Sequence, residues 1–223
     1  MQQTPVHDRH NPDLLAVIPP ACARVLEVGC SSGALAAAYK ARNPGCQYVG
    51  VEIDPAYADL AREQCDRVVT GDFETLEDAQ LAELLPADCI VFGDTLEHFR
   101  DPWAILKRLA GRMRATDLVC ACIPNAQHWS LQVRLATGQF HYENSGLLDR
   151  THLRFFTWTT IQQLFSSTGF QITFARKRIF NEPARERFLP TIRAMAEMAG
   201  ADPEQAADFA APLQFIVCAK RAG

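Results

Sequence analysis

The sequence has no C-x-x-C pair, no cationic excess, no low-complexity linker, no internal repeat, and no apolar run near the ~18 residues of a membrane-spanning helix. Each absence narrows the possibilities. Without that pairing, and with several of its members inside apolar runs such as "DLVCACIP", the set of eight cysteines reads as reduced core thiols in a cytoplasmic protein. Lys and Arg number 22 against 26 Asp and Glu, so no general basic field exists to concentrate nucleic acid, and none is expected as a partner. The start "MQQTPVHDRHNPDLLAVIPP" lacks a cationic stretch followed by an apolar run and a cleavage site, so neither export nor membrane insertion is expected. What remains is a chain of 223 residues, 48% hydrophobic, which suits one domain over residues 1–223 with one large core.

Short apolar runs alternate with longer segments of helical periodicity, the pattern of a parallel sheet with crossover helices. "ARVLEVG" (23–29) is expected as a strand covered on both faces, with "ALAAAYKAR" as the helix after it. "QYVGVEID" (47–54), "RVVTGD" (67–72), "ADCIVFGD" (87–94) and "DLVCACIPN" (117–125) continue the strand series. Asp54-Pro55 and Asp101-Pro102 each place a capping carboxylate before a proline at the first helical position. The alternation then fails over 124–157, a connection long enough to be functional, before Thr157 caps "WTTIQQLFSSTG". "FQITFARKR" and "PLQFIVCAK" are the sixth and seventh strands, separated by a polar, helical stretch at 179–211 whose role the sequence leaves open.

The first strand runs into "EVGCSSG", with Gly29 and Gly33 beneath a helix start. A dinucleotide loop would read G-x-G-x-x-G; here Ser31 takes the middle glycine's place and Glu27 would repel a phosphate. The expected ligand therefore has a cationic or neutral head, cradled by the backbone at Gly29, Cys30 and Gly33. Glu27 suits an amino-acid ammonium, and Glu52, ending the second strand, suits the vicinal diol of a ribose. Asp72 suits an exocyclic amine, Ile53 and Phe73 would flank an adenine, and Asp94 ends the fourth strand on the same side. Amino acid, ribose and adenine together describe S-adenosylmethionine. Asp54, next to Pro55, reads as a cap and not as a ligand contact.

"VLEVGCSSGAL", "YVGVEIDP", "VTGDFETL", "IVFGDTLEHFRDP", "LVCACIPN" and "GLLDRTHLRFFT", in that order, resemble the class I S-adenosylmethionine-dependent methyltransferases, in particular a bacterial group often associated with glycosyltransferases. The resemblance covers roughly residues 10 to 175, departs from the family at Ser31-Ser32, and implies a Rossmann-like, seven-stranded, mostly parallel α/β sheet with helices on both faces. It further implies S-adenosylmethionine as cofactor. The association with glycosyltransferases implies a small or lipid-linked polar acceptor such as a sugar or cell-surface precursor.

Methylation of a hydroxyl requires a base, and the chain offers His7, His10, His98, His128, His141 and His152. An extended "RTHLRF" would turn Arg150, His152 and Arg154 to one side and Thr151, Leu153 and Phe155 to the other. His152 is thus the first candidate base, and Arg150 and Arg154 are candidate forks for a phosphate or carboxylate. His128, in "PNAQHWSLQVRLATG", is a second candidate base on a short helix over the mouth of the sheet. In "DTLEHF", Asp94, Glu97 and His98 resemble, with a later histidine, the Glu-x-x-Glu-His cation site of some ubiquinone-pathway O-methyltransferases and small-RNA 2'-O-methyltransferases. The preferred reading assigns no metal and gives His98 to the substrate side. A metal-assisted O-methyltransferase and a non-catalytic cofactor-binding regulatory partner are the alternatives.

Overall fold

The structure is a computed structural model that describes Pro5 and residues 9–223; His7 lies outside the described residues. Seven strands form one sheet: β1 (Arg24–Val28), β2 (Gln47–Glu52), β3 (Arg67–Thr70), β4 (Cys89–Gly93), β5 (Leu118–Pro124), β6 (Phe170–Arg178) and β7 (Gln214–Arg221). Their order is β3-β2-β1-β4-β5-β7-β6, with β1 to β5 paired in parallel and β7 running antiparallel between β5 and β6. Strand order reverses direction between β1 and β4, which opens a crevice at the carboxyl ends of the strands.

Helices cover both faces. On one side α1 (Pro12–Val17), α2 (Ala34–Arg42) and α3 (Pro55–Ala61) bury Leu14, Leu35, Tyr39 and Ala61 against Val25, Tyr48, Val91 and Cys120. On the other, α4 (Asp78–Leu84), α5 (Pro102–Ala110) and α7 (Trp158–Ser167) bury Leu81, Leu106 and Phe165 against Leu26, Ile90 and Ala121. Adjacent residues such as Val25 and Leu26 thus face opposite layers, which is why the strands read as unbroken apolar runs. All eight cysteines are free and buried, consistent with the expectation of core thiols.

Helix starts follow a recurrent local signal. Asp54 Oδ1 accepts from the amides of Ala56 (2.8 Å) and Tyr57 (3.3 Å), and Asp101 Oδ1 from that of Ala104 (2.9 Å), as expected of caps. Asn11-Pro12 opens α1 in the same way. The stretch 179–211 contains α8 (Arg185–Met198) and α9 (Pro203–Ala210), the latter capped by Asp202 before Pro203. These two helices bury Leu189, Ile192, Ala207 and Ala210 together with Trp129, the first residue of α6 (Trp129–Ala136). Trp129 also stacks on Phe188 at 5.4 Å. The polar stretch therefore has a structural task, which is to hold α6 over the end of β5. Among the described residues, no helix is long and apolar enough to cross a membrane.

The segment 149–155 departs from the expected extended strand. Asp149 Oδ1 accepts from the amide of Thr151 (2.8 Å) and from its hydroxyl (2.6 Å), a local turn that breaks the two-residue alternation. Leu153 and Phe155, expected on the side opposite His152, are 47% and 42% exposed, and Phe156 takes the buried place at 2%.

Candidate functional site

The loop after β1 lines the crevice. Gly29 and Gly33 have φ of +75° and +78°, and Ser31, at the place of a family glycine, has φ +48°. A Cβ on Gly29 would lie 2.8 Å from Thr95 Oγ1, and one on Gly33 3.1 Å from the Ala61 backbone, so neither position accommodates a side chain. The loop is clamped from β2. Gly29 N donates to the Val51 carbonyl (2.8 Å), and the buried Glu52 accepts from Ser31 N (2.8 Å) through one oxygen and from Asp54 N (2.9 Å) through the other. A carboxylate offers about four lone-pair sites, so capacity remains for a bound diol. Ile53, next along the chain, is 48% exposed on the rim.

Glu27 faces inward. It is buried, Tyr48 Oη donates to its Oε2 at 2.9 Å, and burial, with Cys65 next in effect, pushes its carboxyl well above the usual range. Cys30 likewise directs its sulfur toward Gly50 and Cys65, leaving only its backbone on the crevice side. Asp72 caps a single turn through Glu74 N (2.9 Å) and pairs with Arg100 at 3.3 Å. Asp94, at φ +55°, donates its amide to the Cys122 carbonyl (3.1 Å) and accepts from Gln214.

Beyond β4, three side chains converge. Glu97 is 1% exposed, and neither of its carboxyl oxygens has a hydrogen-bond partner. Its Oε1 lies 3.9 Å from both His98 Nε2 and His152 Nε2, and the two imidazoles meet edge to face at 4.8 Å. The tautomer of His98 follows from its neighbours. Its Nδ1 is 3.2 Å from the Thr151 carbonyl, which can only accept, and 3.1 Å from Thr151 Oγ1, whose own hydrogen goes to Asp149. Nδ1 therefore carries the proton and Nε2 the lone pair. His152 makes a ring hydrogen bond to the Leu147 carbonyl, and burial, followed by the neighbouring His98, lowers it to about 4. Burial lowers His98 too, and it raises Glu97 well above the carboxylate range, with Asp94 adding to the effect. Burial thus disfavours charge on all three groups, pushing the two imidazoles toward their neutral forms and the carboxyl toward its protonated one. The three ligand atoms lie within 4.8 Å of one another, the spacing of a cation site.

Residues 7–174 match the family model of the methyltransferase domain. The chain belongs to the methyltransferase domain family. No curated protein matches the sequence. Among solved structures, the fold is similar to the magnesium protoporphyrin IX methyltransferase ChlM from Synechocystis with bound SAH (TM-score 0.60, 14% identity, covering 95% of this chain and 80% of that one). It is also similar to a possible histamine N-methyltransferase from Thermotoga maritima (TM-score 0.60, 14% identity, 93% and 84% covered). A third likeness is to the mitomycin 7-O-methyltransferase MmcR (TM-score 0.58, 19% identity, 94% of this chain), about half of whose length, 52%, the chain spans. At these identities the likenesses speak for the fold.

In this methyltransferase the remaining sequence candidates fall as follows. Phe73, expected against an adenine, is 4% exposed and packs on Phe99 at 6.4 Å, so its ring belongs to the core and Ile53 is the open apolar group. His128, expected on the mouth of the sheet, is fully buried: Nδ1 faces Ser130 Oγ at 2.8 Å and Nε2 faces Glu182 at 3.1 Å. Trp129 Nε1 donates to that same Glu182 oxygen at 2.9 Å, which ties α6 to the stretch before α8. With both nitrogens engaged and burial lowering its pKa, His128 is placed as a structural link. Arg150 and Arg154 are not aligned with His152; the first reaches the Glu143 carbonyl at 3.4 Å and the second bonds the Arg100 carbonyl. Sequence reasoning missed Thr151, Asp149 and Glu182, although "DRT" is a turn signal that could have identified the first two.

Proposed function

We propose that this methyltransferase uses S-adenosylmethionine, held at the carboxyl ends of β1 to β3, to methylate an oxygen of a small or lipid-linked polar acceptor presented by the 124–157 insertion. The carrying observation is the convergence of Glu97, His98 and His152 beyond β4, in the crevice that also holds the Gly29–Gly33 loop. When bound, the cofactor supplies an electrophilic methyl group on a sulfonium. The chain's own work is mainly positioning, which in well-oriented systems lowers a barrier by about 7–11 kcal/mol. The side-chain-free surface of the glycine loop and the remaining lone pairs of Glu52 would hold the donor, and Glu27 supports the loop from beneath through Tyr48. The acceptor proton passes to the Nε2 lone pair of His98 or His152, both neutral at pH 7. Exposed Arg150 and half-buried Arg154 suit an anionic group on the acceptor, such as the phosphate of a sugar precursor.

A second reading is favoured by the orphaned Glu97 carboxyl. Two imidazole lone pairs and a buried carboxylate with no partner fit a divalent cation, and Thr151 would orient His98 from behind as partners of metal-bound histidines do. Such an ion would act as a Lewis acid on the acceptor hydroxyl. His152 in the cluster, and not Asp94, completes the set. The test is incubation of the protein with labelled S-adenosylmethionine and a cell extract, with and without a chelator. A labelled product of low mass that survives chelation supports the histidine route, and its loss on chelation supports the metal route. Absence of any labelled small product would overturn the proposed acceptor class.

A further inference from the structure

Where the insertion turns back toward β4, the buried Asp149 reaches both histidines of the cluster. Its Oδ1 accepts from the amide of Thr151 (2.8 Å) and from the Thr151 hydroxyl (2.6 Å), and its carbonyl accepts from His152 N (3.0 Å). Thr151 in turn presents its carbonyl (3.2 Å) and its Oγ1 (3.1 Å) to Nδ1 of His98. Asp149, Thr151 and His98 thus form a hydrogen-bonded row, and the far nitrogen of its last ring, His98 Nε2, lies 3.9 Å from Glu97 Oε1.

A threonine hydroxyl rotates to suit its surroundings and can donate to an imidazole nitrogen as well as accept from it. Were it to donate to Nδ1, the ring proton would move to Nε2 and the lone pair would leave the edge that faces Glu97. Asp149 takes that hydrogen, so the hydroxyl offers Nδ1 only lone pairs and the ring has to donate there. Exposure then separates the two imidazoles, because the His98 side chain is 27% open and that of His152 only 6%. Resting on the proposed transfer to oxygen, we infer that Asp149 is a positioning residue that holds the His98 proton at Nδ1 through the Thr151 hydroxyl, and that His98, the more open imidazole, takes the acceptor proton at Nε2. His152 is then a wall of the site, ordered by the Asp149 carbonyl. The proton of the acceptor hydroxyl goes to Nε2 and later to water. The oxygen's electron pair forms the new carbon-oxygen bond, and the pair of the broken carbon-sulfur bond stays on sulfur. Asp149 does for His98 what the third member of a catalytic triad does for its histidine, with a hydroxyl interposed.

The tautomer is read in long-range proton-nitrogen NMR spectra of the full chain, saturated with S-adenosylhomocysteine at neutral pH with a chelator present. The His98 ring is assigned by its loss in His98→Gln. In the wild type this ring should carry its proton on Nδ1. Asp149→Ala frees the Thr151 hydroxyl to donate and should raise the form protonated at Nε2 to a readable share. The double variant Asp149→Ala, Thr151→Val has no hydroxyl left and should return the proton to Nδ1, a rescue that a merely structural Asp149 would not show. Asp149→Leu, with the same expected spectra, takes the place of Asp149→Ala should that variant misfold. With labelled S-adenosylmethionine and a cell extract, Asp149→Ala should slow product formation roughly tenfold to a hundredfold at unchanged KM for S-adenosylmethionine. His98→Gln should cost at least as much, and His152→Gln less. The inference is overturned if wild-type His98 is protonated at Nε2, if the double variant keeps the form that Asp149→Ala produces, or if His152→Gln costs more than His98→Gln. Absence of any labelled product from the wild type would count against transfer to oxygen, while the spectra would still decide the role of Asp149.

Discussion

Acidification should destabilise this protein through His152 in particular. The imidazole is 6% exposed and lowered to about 4 from an ordinary 6.5, because burial and the adjacent His98 oppose its charge. The unfolded chain therefore takes up this proton first as pH falls, and stability is lost progressively from about pH 6.5 down to about pH 4. At about 1.4 kcal/mol per pH unit, the separation amounts to roughly 3 kcal/mol, a large share of the 5–15 kcal/mol that holds a typical domain folded. Urea midpoints measured from pH 7 to pH 4 in the absence of divalent cations test this, with His152→Gln as the comparison. The variant cannot charge, so the difference between the two curves should shrink by about 3 kcal/mol across that window. If His152→Gln shows the same pH slope as the wild type, the imidazole is not held neutral by its surroundings and the account of the cluster fails.

Three further outcomes are expected. Gly29→Ala, which must hold φ +75° and meets Thr95, should cost about 1–2 kcal/mol in backbone strain and abolish measurable S-adenosylhomocysteine binding by calorimetry. On the metal reading, a divalent cation at about 100 times its Kd should raise stability by about 2.7 kcal/mol, and Glu97→Gln should remove that gain; an equal gain in the variant would place the ion elsewhere. Asp54→Ala should lower stability by about 1 kcal/mol with no change in cofactor affinity, since its carboxylate caps α3; a loss of affinity alone would make it a ligand contact.

The sheet was legible because its signals are local. Short runs rich in apolar and β-branched residues gave the seven strands, and an Asp before a proline gave two helix starts correctly. The same signal at Asn11-Pro12 went unread because α1 is only six residues long and its two buried leucines show no period. The segment 149–155 was misread for a related reason: alternation suggested a strand, but Asp149 bonding to Thr151 closes a turn that competes with the extended form. The cradle glycines could be identified from their place between strand and helix, whereas the pairing of His152 with Glu97 and His98 spans residues far apart in sequence. Nothing in the order of amino acids reports that Leu153 and Arg154 both donate to the Glu97 carbonyl, the contact that brings the insertion back over β4.

The position of β7 has a consequence for assembly. It lies inside the sheet, not at its rim, and β5 and β6 cannot be joined until it has been threaded between them. During synthesis the part of the crevice built from β1 to β4 can form while Asp94 still lacks Gln214, and α8 and α9 must emerge before that bond closes. A shortened chain lacking β7 would thus detach β6 from the sheet in a single step, while keeping the glycine loop between β1 and α2.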